Sequence, residues 1–126
     1  MILSRLATGF ALTASLLAFS VSKTFAQEVE TGLGVVLRGL DKVDAAVSNI
    51  EIPNGGDATF GRLEIRLLEC RYPQGDPAAD AFAFLEIRDV PKDKRVFFGW
   101  MLASSPALNA LEHARYDVWV LRCQTE

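Results

Sequence analysis

The sequence predicts an all-β fold: a small antiparallel β-sandwich or partly open barrel with one short helix, preceded by an N-terminal signal helix. Three observations lead there. Apolar residues recur in about six to eight short runs separated by turn residues, with no strand–helix–strand rhythm between them. Two cysteines, Cys70 and Cys123, lie far apart in the chain. Only one segment, opening at Ser105-Pro106, carries a convincing helix start.

The first residues, MILSRLATGFALTASLLAFSVSKTFAQ, read as a targeting segment. Arg5 supplies a short positive region, Leu6 to Val21 is uncharged and mostly apolar, and Thr24-Phe25-Ala26 offers the small residues a signal peptidase requires. The expected organisation is a signal peptide over 1–26, a flexible polar leader over 27–34 and a single β domain over 35–126. Cleavage near Ala26 places the domain in the periplasm, with no membrane span retained. It leaves 100 residues carrying 11 basic and 16 acidic side chains. Such an acidic domain lacks the basic patch that nucleic acid or anionic lipid demands; the cluster from Lys92 to Arg95 falls in a turn.

Export also places Cys70 and Cys123 in an oxidising compartment, where one intramolecular disulfide is the expected pairing; two thiols or an intermolecular bridge are the alternatives. A small domain gains from such a staple, worth about 4 kcal/mol for a loop of this length. With no CxxC, a redox-active pair is not indicated.

The elements follow in order. Val35–Leu40 and Val43–Ile52 read as strands joined tightly at Asp41-Lys42, and Asn54-Gly55 in PNGGD supplies the positive φ of a turn. Thr59–Tyr72 reads as one long strand, with Leu63, Ile65 and Leu67 on one face. The pattern slips at Leu67-Leu68, so a bulge there would turn Leu68, Cys70 and Tyr72 to the apolar side. After PQGDP come strands over Phe82–Val90 and Arg95–Met101, split by PKDK. The helix from Ser105 then docks through Leu108 and Leu111 and ends near His113, and Tyr116–Cys123 is the last strand.

Ser104, Ser105, His113 and Asp117 suggest a nucleophilic arrangement, but no G-x-S-x-G elbow surrounds either serine and Ser105 is committed to capping. No catalytic residue is therefore assigned, and a hydrolase using His113 with Ser104 or Ser105 is the alternative reading. One histidine without HExxH supports no metal site, and no cofactor is expected. The acidic pairs Asp41/Asp44 and Asp89/Asp93 read as solvated surface.

The stronger anomaly is apolar. Alternation in RVFFGWM separates Val96, Phe98 and Trp100 from Phe97 and Met101; YDVWVLRC separates Tyr116, Val118 and Val120 from Trp119, Leu121 and Cys123. Both faces of both strands are apolar, so either the helix covers the second face or that face is a contact surface. The candidate surface is Phe98, Trp100, Tyr116 and Trp119 with His113.

GWMLASSPALNALEHARYDVWVLRC, with LRGLDKV, FGRLEIRLLEC and AFLEI upstream, resembles an alphaproteobacterial family of exported proteins known as domain of unknown function 2155. The likeness spans nearly all of the chain after the signal. The family commonly has a proline after the histidine, where this chain has Ala114. The resemblance implies location and domain identity but no reaction. The combined expectation is a non-enzymatic periplasmic binding or scaffold domain of the cell envelope, holding an envelope protein or surface component through the Phe98–Trp119 region.

Overall fold

A computed structural model describes residues 28–126 and, before them, Leu17, Ala18 and Ser20 alone. The expected signal peptide and its cleavage site otherwise lie outside the described residues. Among the described residues eight strands form two antiparallel sheets: β1 (Val29–Thr31), β2 (Gly34–Asp41), β3 (Ala46–Pro53), β4 (Asp57–Phe60), β5 (Leu63–Pro73), β6 (Phe82–Asp89), β7 (Lys94–Leu102) and β8 (Tyr116–Gln124). The first sheet runs β1-β5-β6-β7, with β4 also on β5; the second runs β3-β2-β8. Neither closes on itself, so the fold is the expected antiparallel sandwich.

Alternation builds the core. Leu63, Ile65 and Leu67 of β5, Ala83, Leu85 and Ile87 of β6, and Phe97 and Met101 of β7 face Val35, Leu37, Ile50, Ile52, Val118 and Val120 of the second sheet. Each buried leucine or isoleucine contributes about 1.5–3 kcal/mol by leaving water.

Three register shifts redirect this alternation, and each inserts one residue: Leu68 in β5, Val96 in β7 and Leu121 in β8. The first lies where the pattern slips in sequence, and it brings Cys70 inward; Leu68 itself stays 44% exposed rather than joining the apolar side. The third corrects the face expected for Cys123. An unbroken strand would put Cys123 beside Trp119, but the extra residue at Leu121 returns it to the core. Cys70 and Cys123 are thereby joined in a disulfide that ties one sheet to the other.

Other expectations change. The leader is not without structure: β1 pairs with the end of β5, Gly32 donates to the Cys70 carbonyl and Leu33 to that of Gln124. The chain thus passes over the disulfide from one sheet to the other. Thr59–Tyr72 is not one strand but a hairpin, turning at Gly61-Arg62, where Gly61 has φ +57°. The β2–β3 connection is wider than Asp41-Lys42, because the turn runs to Ala45 at φ +53°.

The expected helix is only a single 3-10 turn, Pro106–Leu108, and Ser105 makes no side-chain cap. Leu108 is 75% exposed, whereas Leu111 is in the core. Segment 103–115, which contains this turn, is fixed by Ala103 N–H donating to the Ala81 carbonyl and by Asn109 Nδ2 donating to that of Trp100. Its only buried side chain, Leu111, reaches the core, while the outer face of the first sheet keeps its aromatics at the surface.

Candidate functional site

At one end of the sandwich the β2–β3 turn, the β4–β5 turn, the end of β6 and the segment before β8 converge. Tyr116 stands at the centre, 1% exposed, its hydroxyl accepting from Arg62 N–H at 3.1 Å. Phe60 meets its ring edge-on at 5.6 Å and rests on Gly39, where any side chain would collide with it. Tyr116 is therefore core, not the binding surface expected from sequence.

His113 is also committed internally. Its Nδ1 accepts from the backbone N–H of Arg115 at 3.0 Å and of Tyr116 at 3.3 Å, which leaves the ring proton on Nε2, directed at Asp89 Oδ2 at 2.9 Å. Both ring nitrogens are thus engaged, and among the described residues no hydrogen bond joins His113 to Ser104 or Ser105. The arrangement orders the chain entering β8. Burial opposes charge on Asp89, but the hydrogen bond from His113 outweighs it and holds the carboxyl below its ordinary value.

Asp41 and Asp89 are buried, which corrects their reading as solvated surface. Arg115 grips Asp41 through Nε to Oδ1 at 3.1 Å and Nη2 to Oδ2 at 2.9 Å, and Asp41 Oδ1 also accepts from Val43 N–H at 3.0 Å. The guanidinium hydrogen bond lowers the Asp41 carboxyl to about 2. Lys42 Nζ reaches the His113 carbonyl at 2.8 Å, closing the ring of contacts between the first turn and the last. Asp117 lies outside this knot, 3.7 Å from Lys42 Nζ. Sequence reasoning missed the cluster because its partners are up to 74 residues apart; the signal was the placement of Asp41 and Arg115 at strand ends.

The remaining candidates occupy opposite faces. Trp119 pairs across the second sheet with Arg38, hence on that sheet's outer side. Phe98 and Trp100 lie on the outer side of the first sheet, opposite Glu86 and Phe84. Here Trp100 meets Phe84 at 5.1 Å and Phe82 at 5.3 Å, and Phe84 meets Phe98 at 5.0 Å, each edge to face. Arg95 lies over Phe98 at 4.4 Å and Arg71 beside Trp100 at 5.7 Å. Shallow depressions flank Trp100, one lined by Thr31, Asn54, Leu68 and Glu69, the other by Arg71, Phe82 and Leu102. Phe82 and Phe84 do not stand out in the sequence, because each is an ordinary strand residue until neighbouring strands align them, and Leu68, expected on the apolar side, instead borders this outer face. Among the described residues no group of three or more His, Cys, Asp or Glu side chains could hold a metal ion.

A two-sheet sandwich with an internal ionic knot and an aromatic outer strip defines a small disulfide-stapled β domain. The chain belongs to the domain-of-unknown-function family 2155, described as "Uncharacterized protein conserved in bacteria", whose profile matches residues 35–123. It is 28% identical over 87 residues to the uncharacterized protein RP359 of Rickettsia prowazekii (strain Madrid E), a match covering 67% of this chain and 56% of that protein. The chain therefore spans little more than half the length of that relative. No solved structure matches it significantly. The disulfide is compatible with an exported protein, and among the described residues no helix is long and apolar enough to cross a membrane.

Proposed function

We propose that this is a periplasmic, non-enzymatic binding domain of the cell envelope that holds a protein or surface component through the outer face of its first sheet. The observation that carries the reading is the strip Phe82, Phe84, Phe98 and Trp100, with Phe98 51% exposed and guanidinium groups against two of the rings. Aromatic and arginine side chains held rigid by their neighbours lose little freedom on binding, and they dominate the centres of protein interfaces. The engagement of both His113 nitrogens supports a structural rather than catalytic part for that residue. The contact surface is narrower than the sequence suggests: it excludes Tyr116 and His113, and Trp119 serves as a control on the opposite side.

A photo-crosslinking amino acid placed at Phe98 or at Trp119 in living cells tests this. A discrete adduct at Phe98, absent at Trp119 and lost on Trp100→Ala with the circular dichroism spectrum unchanged, is the expected result. Equal labelling at both positions, or none at Phe98, overturns the proposal.

A further inference from the structure

The turn between β6 and β7 has a composition unlike the rest of the domain. With the first two residues of β7 it forms Val90-Pro91-Lys92-Asp93-Lys94-Arg95, which carries three basic side chains and one acid, on a chain whose overall charge is −3. The acids nearby have basic neighbours: Asp93, though exposed, pairs with Arg88 Nη2 at 2.7 Å, and Glu86, across from Phe98, has Arg66 as its other cross-strand partner. Asp89, at the base of the turn, is turned inward to His113. Among the described residues no ion pair joins Lys92, Lys94 or Arg95. From the adjoining hairpin Arg62 and Glu64 border the same depression as Val90 and Pro91 and offset each other.

Apolar surface sits among these charges. Val90 is 54% exposed and Phe98, with Arg95 over its ring, is 51% exposed. A depression beside Val90 and Pro91 is open and shallow and would not enclose a peptide. Basic groups beside exposed apolar side chains match the chemistry of a bilayer surface: phosphates attract the cations, and the side chains enter the headgroup boundary.

Against the expectation drawn from the domain's overall acidity, we infer that the β6–β7 turn, with Phe98, docks on an anionic phospholipid surface. The inference deepens the reading of the Phe98–Trp100 strip by naming a surface component, and it shares only Phe98 with that strip. Each lysine or arginine near such a surface gives about a fivefold gain in partitioning at moderate salt, and screening erodes it.

The test uses the purified exported protein in its oxidised form with two vesicle types, phosphatidylcholine alone and phosphatidylcholine with about one third phosphatidylglycerol. The ratio of binding to the two is read, so any charge-independent attachment cancels. Expected are a ratio above about tenfold, its collapse towards one in Lys92→Glu/Lys94→Glu and at high salt, and weaker absolute binding to the anionic vesicles in Phe98→Ala, with Trp119→Ala unchanged in both measures. A wild-type ratio near one overturns the inference, as does a ratio insensitive to the paired charge reversal. Polyglutamate is the second probe: binding to it that matches the anionic vesicles and ignores Phe98→Ala would mean recognition of acidic protein and also overturns it. Trp100→Ala separates the two proposals, since it abolishes the Phe98 crosslink without altering the vesicle ratio.

Discussion

Arg115 holds the carboxylate of Asp41 in a fork, Nε to Oδ1 at 3.1 Å and Nη2 to Oδ2 at 2.9 Å, and so joins the turn after β2 to the entry of β8. Neither residue touches the aromatic strip. Their pairing fixes the frame on which the strip is displayed.

Acid should loosen this frame. The folded state holds Asp41 at about 2 rather than 3.8, so its contribution to stability is fully present above the ordinary value and fades as pH falls from about 4 towards 2. Asp89 is lowered in the same direction through His113 and adds to the loss. Urea unfolding between pH 2 and pH 7 should show the wild type losing stability over that window, while Asp41→Asn, weaker at neutral pH, changes less.

The disulfide closes a separation of 53 residues, for which the chain-entropy estimate is about 4 kcal/mol. Cys70→Ser/Cys123→Ser should lower the stability measured in urea by about that amount. Because Gly32 lies against Cys123 and the bridge is buried, the native bond should also resist mild reduction until the domain is partly unfolded.

Leu111 and Leu108 are equivalent in a helical reading and opposite in the structure. Leu111→Ala should cost about 2–4 kcal/mol, because it opens a cavity between the sheets. Leu108→Ala, at a side chain 75% exposed, should stay within about 0.5 kcal/mol. Thermal denaturation of the two variants distinguishes them.

Gly61→Ala should destabilise by about 2 kcal/mol, because the residue has φ +57° and its new methyl would meet the Tyr116 ring. The matching change at Gly55, whose φ is +73° with open space around it, should show the backbone cost alone. The difference between the two melting curves reports the Tyr116 contact.

Much of the sandwich is legible along the chain, because strand alternation and turn chemistry are local. The slip at Leu67-Leu68, the Asn54-Gly55 turn and the single cysteine pairing each need only a few neighbouring residues or simple counting. The helix expected at Ser105-Pro106 shortens to one turn because Ser105 supplies no side-chain cap, Asn109 donates to the Trp100 carbonyl and the backbone extends at Asn109. Gly61 was passed over because the apolar alternation continues on both sides of it. The knot of Asp41, Arg115, Asp89 and His113 is not legible locally, since its members meet only when the ends of β2 and β6 and the segment before β8 gather at one end. The strip of Phe82, Phe84, Phe98 and Trp100 needed the β6–β7 register, which the Val96 bulge shifts.

The order of strands in the second sheet has a consequence for how the chain reaches this state. β2 is its central strand, flanked by its immediate successor β3 and by the last strand, β8. Until β8 is in place, one whole edge of β2 is open, and the apolar side chains of Val35 and Leu37 lie beside it. Pairing of such distant segments is slow, on the order of milliseconds to seconds, and exposed edges of this kind recruit other chains. Until that pairing forms the chain should be prone to associate with other chains, and the final strand should act as the latch that ends this vulnerability.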